Sequence, residues 1–132
     1  MSHWPAPHHG MVSEYQASGV PFVTSSAAGE AQTTPIQVTF PYVTRWVQIF
    51  NTDINGDLRV GFTKNGVNGG PAKNFVVLNK TNETARWEVK CTSLWLRNDT
   101  TNSTFSIIAG LTNVPADQFF LMSGSNGVAG VG

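Results

Sequence analysis

Charged side chains are scarce in this chain. Only 12% of its 132 residues are Asp, Glu, Lys or Arg, whereas a soluble globular domain carries about 25%. Eight basic residues balance eight acidic ones, so the formal net charge is zero. The chain therefore lacks the basic excess of a nucleic-acid-binding protein and the net charge that keeps small proteins apart in solution. This composition favours assembly with other protein subunits over the alternative, a charge-poor exported β protein.

Cysteine is limited to Cys91, which excludes an intrachain disulfide. Cys91 follows Trp87 and Val89 at alternate positions, so it shares their face of a strand. This spacing predicts a small buried side chain and not a nucleophile.

Long apolar runs and targeting features are also missing. No stretch is long and apolar enough to cross a bilayer. Residues 1–16 lack the basic segment and the apolar segment of a secretory signal. We therefore expect synthesis in a cytosol and no membrane insertion.

Residues suited to catalysis or metal binding are few. Histidine occurs only at His3, His8 and His9, in the N-terminal segment. A closed zinc site needs four ligands, and a Ser–His or Cys–His pair would have to borrow its base from this segment. Residues 66–73, GVNGGPAK, lack the spacing of a phosphate-binding loop and are predicted to form a turn-rich connection. The sequence predicts no enzyme activity, no catalytic residue, no cofactor and no metal site.

The chain is rich in short apolar stretches separated by turn residues. They predict eight strands, near residues 20–25, 34–40, 42–51, 57–63, 74–79, 84–91, 93–98 and 104–111. No segment keeps a helical period over three turns. Eight short strands predict one all-β domain, a sandwich or a barrel, over residues 20–111. An N-terminal extension (residues 1–19) and a C-terminal extension (residues 112–132) flank it.

One dipeptide predicts a tight hairpin. Asn55-Gly56 lies between two apolar runs within residues 45–62, RWVQIFNTDINGDLRVGF. Asn-Gly tolerates positive φ at both central positions, so it suits the type I′ turn of a two-stranded hairpin. The sequence therefore predicts that the strands on either side of it pair with each other.

Three tryptophans in the strand region are predicted to fill the space between two sheets, namely Trp46, Trp87 and Trp95. An outward-facing Trp95 beside Asn98 and Asp99 would instead form the flat aromatic and polar set of a sugar-binding sandwich. A carbohydrate-binding module therefore remains an alternative, although core packing is the commoner fate of a strand tryptophan.

Three further patterns concern the surface. N-x-[ST] sequons occur at Asn79, Asn82, Asn98 and Asn102, a number close to chance, and their glycosylation is not decided by the sequence. All eight basic residues lie within residues 45–97, so the weakly acidic ends could dock on the basic middle of a neighbouring copy. Residues 119–122, FFLM, form an apolar run that is predicted to pack on its own sandwich or, as the alternative, on a neighbour.

Several stretches carry a resemblance that covers nearly the whole chain. They read SEYQASGVPFVTSS, FPYVTRWVQIFNTD, LRVGFTKNGVNG, LWLRND, FSIIAGLTNVP and GSNGVAGVG. Together they resemble the small single jelly-roll capsid proteins that form the penton at each fivefold vertex of large icosahedral DNA viruses, whose major capsid protein is a double jelly roll.

The resemblance implies an eight-stranded jelly-roll sandwich, five copies in a ring and no enzyme activity. It implies contacts with the neighbouring major capsid protein and minor capsid proteins, none with nucleic acid, and a place at the capsid vertex of a virion assembled in the host cell cytoplasm. The resemblance implies an architecture for this chain but no residue roles, since the family has no motif residues with chemical roles. The alternative function is a carbohydrate-binding or capsid-decorating β-sandwich module.

Overall fold

The computed structural model of the protein describes residues 19–25, 34–69, 73–98 and 104–119. Its elements are β1 (Val20–Ser25), β2 (Ile36–Thr39), β3 (Tyr42–Asn51), β4 (Leu58–Gly61), helix α1 (Lys64–Asn68), β5 (Phe75–Leu78), β6 (Ser93–Asn98), β7 (Phe105–Pro115) and a 3-10 turn (Ala116–Gln118). The strands form a three-stranded sheet in the order β1-β7-β3 and a four-stranded sheet in the order β2-β6-β4-β5. Every strand pair is antiparallel. The predicted all-β sandwich is confirmed at this level.

The core lies between the two sheets, because alternate residues of each strand point inward. On β6, Leu94 and Leu96 are fully buried, and on β7, Ile107 and Ala109 are almost fully buried. β7 is the middle strand of its sheet. The buried cluster comprises Phe40, Val47, Ile49, Leu58, Val60, Leu78, Cys91, Leu94, Leu96, Phe105, Ile107, Ala109 and Leu111.

The strand predicted at 84–91 is wrong as a regular strand, because the described structure holds seven strands and none of them covers these residues. Residues 82–91 nevertheless run along the free side of β3. They join it at two isolated antiparallel bridges, Val47 with Trp87 and Phe50 with Glu83.

Two threonine hydroxyls explain why this ladder is irregular. The backbone N–H of Ile49 donates to Thr84 Oγ1 at 3.0 Å, where a regular ladder would use a carbonyl oxygen. At the other end, the N–H of Cys91 donates to Thr44 Oγ1 at 3.0 Å. Threonine side chains thus take the place of backbone groups, an alternative that Ser and Thr routinely offer.

The predicted type I′ hairpin is also wrong. β3 pairs with β7, whereas β4 pairs with β5 and β6, so residues 52–57 cross from one sheet to the other. Neither Asn55 nor Gly56 has positive φ, since the described residues with positive φ are Thr81 and Gly69. Asn-Gly permits the type I′ turn but does not impose it, and the burial of Asn51 directs this loop instead.

The strands pair as a nested series. The first strand pairs with the last, β1 with β7. The second pairs with the one before the last, β2 with β6. Inside these pairs β3 is bonded to residues 82–91, and innermost β4 pairs with β5. Nested pairs therefore alternate between the two sheets.

Helix α1 corrects the prediction that residues 66–73 form only a turn-rich connection. Thr63 caps the helix, because its Oγ1 accepts a hydrogen bond from the N–H of Gly66 at 3.0 Å. Gly69 ends the helix in the left-handed region, at φ 76°. Five residues are too few to show a period in the sequence, so pattern analysis misses such a helix.

Candidate interaction surfaces

The described part of the chain holds no cluster of three or more His, Cys, Asp or Glu side chains suited to a metal ion. His3, His8 and His9 lie outside the described residues. No helix among the described residues is long and apolar enough to cross a membrane.

Cys91 is a buried core residue, as its spacing predicts. It is fully shielded from solvent, and burial raises the pKa of its thiol to about 11. Its sulfur lies 3.5 Å from Thr44 Oγ1. Since the thiolate is the nucleophilic form, this cysteine is poorly suited to react at neutral pH.

The tryptophan prediction is confirmed for one residue and wrong for two. Trp87 packs against the core between the sheets. Trp46 and Trp95 lie outside the core and are half-buried, because the residues beside them in sequence take the inward positions. The guanidinium of Arg86 covers the Trp46 ring, with its carbon 5.6 Å from the ring centroid.

The proposed sugar-binding set does not form. Trp95 is half-exposed, as that alternative requires, but Asn98 is fully buried. The Nδ2 group of Asn98 donates to the backbone oxygen of Asp57 at 2.8 Å. Asp99 lies outside the described residues. The three-residue spacing of Trp95 and Asn98 already places them on opposite faces of a strand.

At one end of the sandwich, the side chain of Asn51 links neighbouring loop and strand segments, and this residue is only 2% exposed. Its Nδ2 group donates to the backbone oxygens of Gly56, Leu78 and Asn79 at 3.0, 3.1 and 3.2 Å. Its Oδ1 atom accepts the N–H of Asp53 at 3.0 Å. One amide thus connects three segments and leaves no buried polar atom of its own unsatisfied, which makes this end a fixed structural unit.

The sequons differ in accessibility. Asn79 and Asn82 are exposed, whereas Asn98 is fully buried and cannot receive a glycan in the folded chain. Thr84, which completes the sequon of Asn82, is also buried. Asn102 lies outside the described residues.

The outer face of the three-stranded sheet has an apolar part around Gly110. Pro21, Gly110 and Trp46 stand side by side in register across its strands, and Val23 stands beside Ile108 in the next row. Val23 is 68% exposed. Because Gly110 has no side chain, a groove of about 290 Å³ opens between its neighbours. The groove is lined by Gly19, Val20, Pro21, Trp46, Ile108, Ala109 and Gly110.

The outer face of the four-stranded sheet is basic. Arg59 and Arg97 are directly paired across β4 and β6, and both donate to the backbone oxygen of Asn68 at the end of α1. Cations at a helix C-terminus are favourable, so the helix offsets the repulsion between the two guanidinium groups. Arg59 also stacks on Phe75, with its guanidinium carbon 4.4 Å from the ring centroid.

The edge of the four-stranded sheet at β5 exposes two adjacent valines. Val76 is 49% exposed and Val77 is 48% exposed. The strand was expected from its β-branched sequence, but its position at an edge depends on pairings that the sequence pattern does not reveal. Exposed neighbouring valines are therefore a feature that sequence analysis missed.

Comparison of the chain with protein-family models, curated proteins and solved structures finds no match.

Proposed function

We propose that this protein is a structural capsid subunit with an eight-stranded jelly-roll fold, and that five copies form the penton at the fivefold vertices of an icosahedral virion. The nested strand pairing carries the proposal. A jelly roll is a long antiparallel hairpin rolled over itself, so that strand 1 pairs with 8, 2 with 7, 3 with 6 and 4 with 5.

Counting residues 82–91 as the sixth strand gives this order. β1 with β7 is then the outermost pair, β2 with β6 the second, β3 with residues 82–91 the third and β4 with β5 the innermost. The Thr44 and Thr84 hydroxyls supply hydrogen bonds that an unbroken sixth strand would obtain from its backbone. These contacts support an eight-stranded jelly roll.

Jelly rolls serve both viral capsids and carbohydrate-binding proteins, so the surface has to decide between the two. An apolar outer face around Trp46 and Val23 and a zero net charge suit burial against other subunits. The opposite orientations of Trp95 and Asn98 work against a sugar site. The balance therefore favours assembly.

The proposed partners follow from the vertex position. Each copy contacts two ring neighbours through head-to-tail interfaces that close on themselves. It also contacts the surrounding major capsid protein and minor capsid proteins. A specific contact buries about 800 Å² per partner, so several contacts leave little room for hydrated charges on a small sandwich. The proposal includes no nucleic-acid contact, no membrane insertion and no catalysis.

The test is the mass and symmetry of the purified full chain. Native mass spectrometry should detect a complex with five times the 14.2 kDa mass of the chain, and electron micrographs should show fivefold rings. A chain that stays monomeric up to about millimolar concentration would contradict the proposal, since that concentration detects contacts of only about 4 kcal/mol.

The carbohydrate alternative has its own test, because Trp95 is half-exposed on a sheet face. The Trp95→Ala variant should fold and should form the same rings as the unchanged chain. Glycan binding by the unchanged chain that disappears in Trp95→Ala would replace the capsid proposal with a carbohydrate-binding module.

A further inference from the structure

The edge at β5 differs from an ordinary sheet edge in where its apolar side chains point. Val76 is in register with Val60, which is 1% exposed and belongs to the core. Val77 is in register with Arg59, on the outer face. The two valines therefore lie on opposite faces of the sheet, and each is about half-exposed.

This arrangement limits what could cover the edge. A molecule that docks on one face of the sheet would cover Val77 or Val76, but not both. A strand that continues the sheet beyond β5 places side chains over both faces and also pairs with the backbone of β5. Among the described residues, β5 pairs with β4 alone.

Each of the other edges carries a proline, polar side chains or charged side chains, and prolines and charges discourage strand addition. β1 contains Pro21, which removes a backbone donor. β2 presents exposed Gln37 and Thr39. Residues 82–91 pair irregularly with β3 and include the charged residues Glu83, Arg86, Glu88 and Lys90. β5, with the sequence FVVL, has no proline, no charge and no polar side chain.

We propose that β5 accepts an added strand, formed by residues 119–122 of a second copy of this chain. The occupant must carry apolar side chains on both faces, and therefore at consecutive positions. Residues 119–122, FFLM, meet this requirement and carry no charge. Phe119 leaves the 3-10 turn with extended backbone, at φ −93° and ψ 148°.

Reach favours a second copy over the chain's own edge. The N–H of Ala116 donates to the oxygen of Pro41, which ties the start of this segment to the entry of β3 in the three-stranded sheet. β5 belongs to the other sheet, about 10 Å away. Four extended residues span about 14 Å, so crossing between the sheets would use most of the apolar run before pairing began.

The inference rests on the proposed self-assembly and gives it a mechanism. Each copy donates its C-terminal segment to one neighbour and accepts a segment from the other at β5. Such a contact is head-to-tail and closes into a ring when the rotation between copies allows it. Packing of residues 119–122 on their own sandwich, which the sequence predicts, is the competing arrangement.

Two variants of the full chain test the inference, one on each side of the contact. Val77→Asp places a carboxylate on the accepting edge, where Arg59 opposite it keeps the monomer stable. Phe120→Asp places a carboxylate in the donated segment. Each should weaken ring formation by about 100-fold or more, since each places a charged group where the contact would bury an apolar side chain. Circular dichroism checks that both variants fold.

Mixing the variants gives the sharper result. The Val77→Asp chain keeps an intact donor segment, and the Phe120→Asp chain keeps an intact accepting edge. An equimolar mixture should therefore form 1:1 complexes and nothing larger, because each mixed pair can make only one intact contact. Native mass spectrometry reads this directly.

The matched control is Ile54→Asp, since Ile54 is an even more exposed apolar residue, at 70%, in the loop between β3 and β4 and outside both apolar surfaces described above. It should leave the rings unchanged. Rings that persist in Val77→Asp and Phe120→Asp, or a mixture without 1:1 complexes, would overturn strand addition while the proposed function stands. An unchanged chain that forms no oligomer would overturn both.

Discussion

Two regions that meet at β5 differ in what they bury: one buries polar groups around Asn51, and the other leaves the apolar side chains of Val76 and Val77 exposed. At the end of the strand, the buried amide of Asn51 holds the backbone oxygens of Leu78 and Asn79. Immediately before Leu78, Val76 and Val77 expose about half of their apolar side chains to solvent. Polar groups are thus buried and satisfied at one place, while apolar groups face water a few ångströms away.

This difference distinguishes the residues that hold the subunit in one conformation from the residues that are available for contact with other proteins. Buried hydrogen bonds with full satisfaction specify one geometry, because any rearrangement leaves a polar atom without a partner. Exposed apolar surface specifies no geometry by itself and gains free energy when another molecule covers it. We interpret the Asn51 end as the rigid part of the subunit and the β5 edge as a contact part.

Among the substitutions that test this difference, replacing Asn51 should lower the free energy of unfolding the most. Asn51→Ala removes the side-chain contacts to the backbone oxygens of Gly56, Leu78 and Asn79 and the acceptor of the Asp53 N–H. We expect the free energy of unfolding to fall by about 3 kcal/mol, measured by urea denaturation. Asn55→Ala, at the exposed tip of the same loop, is the control and should change it by less than about 0.5 kcal/mol. Equal losses in the two variants would show that the network does not hold this end.

Removing the hydroxyl of Thr44 tests the buried hydrogen bonds that join β3 to residues 82–91. Thr44 Oγ1 donates to the oxygen of Val89 at 2.7 Å and accepts the N–H of Cys91 at 3.0 Å. Thr44→Val keeps the shape and leaves that N–H buried without its partner, so stability should fall by about 2 kcal/mol. Thr39→Val, on an exposed position of β2, should be nearly neutral in the same urea titration. A neutral Thr44→Val would mean that residues 82–91 do not depend on this hydroxyl.

The pH dependence of stability tests the burial of Cys91, which contacts Thr44. Burial raises the pKa of this thiol from 9.0 to about 11 in the folded chain. Below pH 9 both states keep the proton. Between pH 9 and 11 the unfolded chain loses it first, so the free energy of unfolding falls as the pH rises, by about 1 to 2 kcal/mol at pH 10.5. Thermal melts of the unchanged chain should show this loss, and those of Cys91→Ala should lack it. Parallel pH profiles would contradict the shift.

The smallest effect is expected at the β5 edge itself. Val77→Thr should change the stability of the monomer by less than about 0.5 kcal/mol, because the side chain is half-exposed and threonine keeps its β-branched shape. The same variant should weaken self-association measurably by sedimentation, whereas Ile54→Thr, at an exposed apolar residue of the loop after β3, should not. A destabilised monomer with unchanged association would place the role of Val77 inside the subunit.

Local patterns predicted the strands well, because a period of two depends on neighbouring residues only. The bounds of β3, Tyr42–Asn51, were predicted to the residue, and in the strand predicted near 57–63 the alternate residues Leu58 and Val60 point inward. The partners of strands were not predictable in this way. Asn55-Gly56 suggested a hairpin, but the burial of Asn51 sends the chain to the other sheet, and burial is a property of the whole fold.

The surface features were also predictable only where they depend on neighbouring residues in the sequence. The inward and outward positions of Trp95 and Asn98 follow from strand alternation, so the failure of the sugar-binding set could have been predicted. The exposure of Val76 and Val77 could not, since it depends on β5 being an edge strand. An identical FVVL sequence in a central strand would be buried.

The symmetry axis that this chain occupies in its native particle tests the central claim most directly. A cryo-electron microscopy reconstruction should place five copies of the sandwich around each fivefold vertex, enclosed by larger shell subunits. Density for the chain at threefold or twofold positions, or on the outside of a vertex built from another protein, would contradict the account.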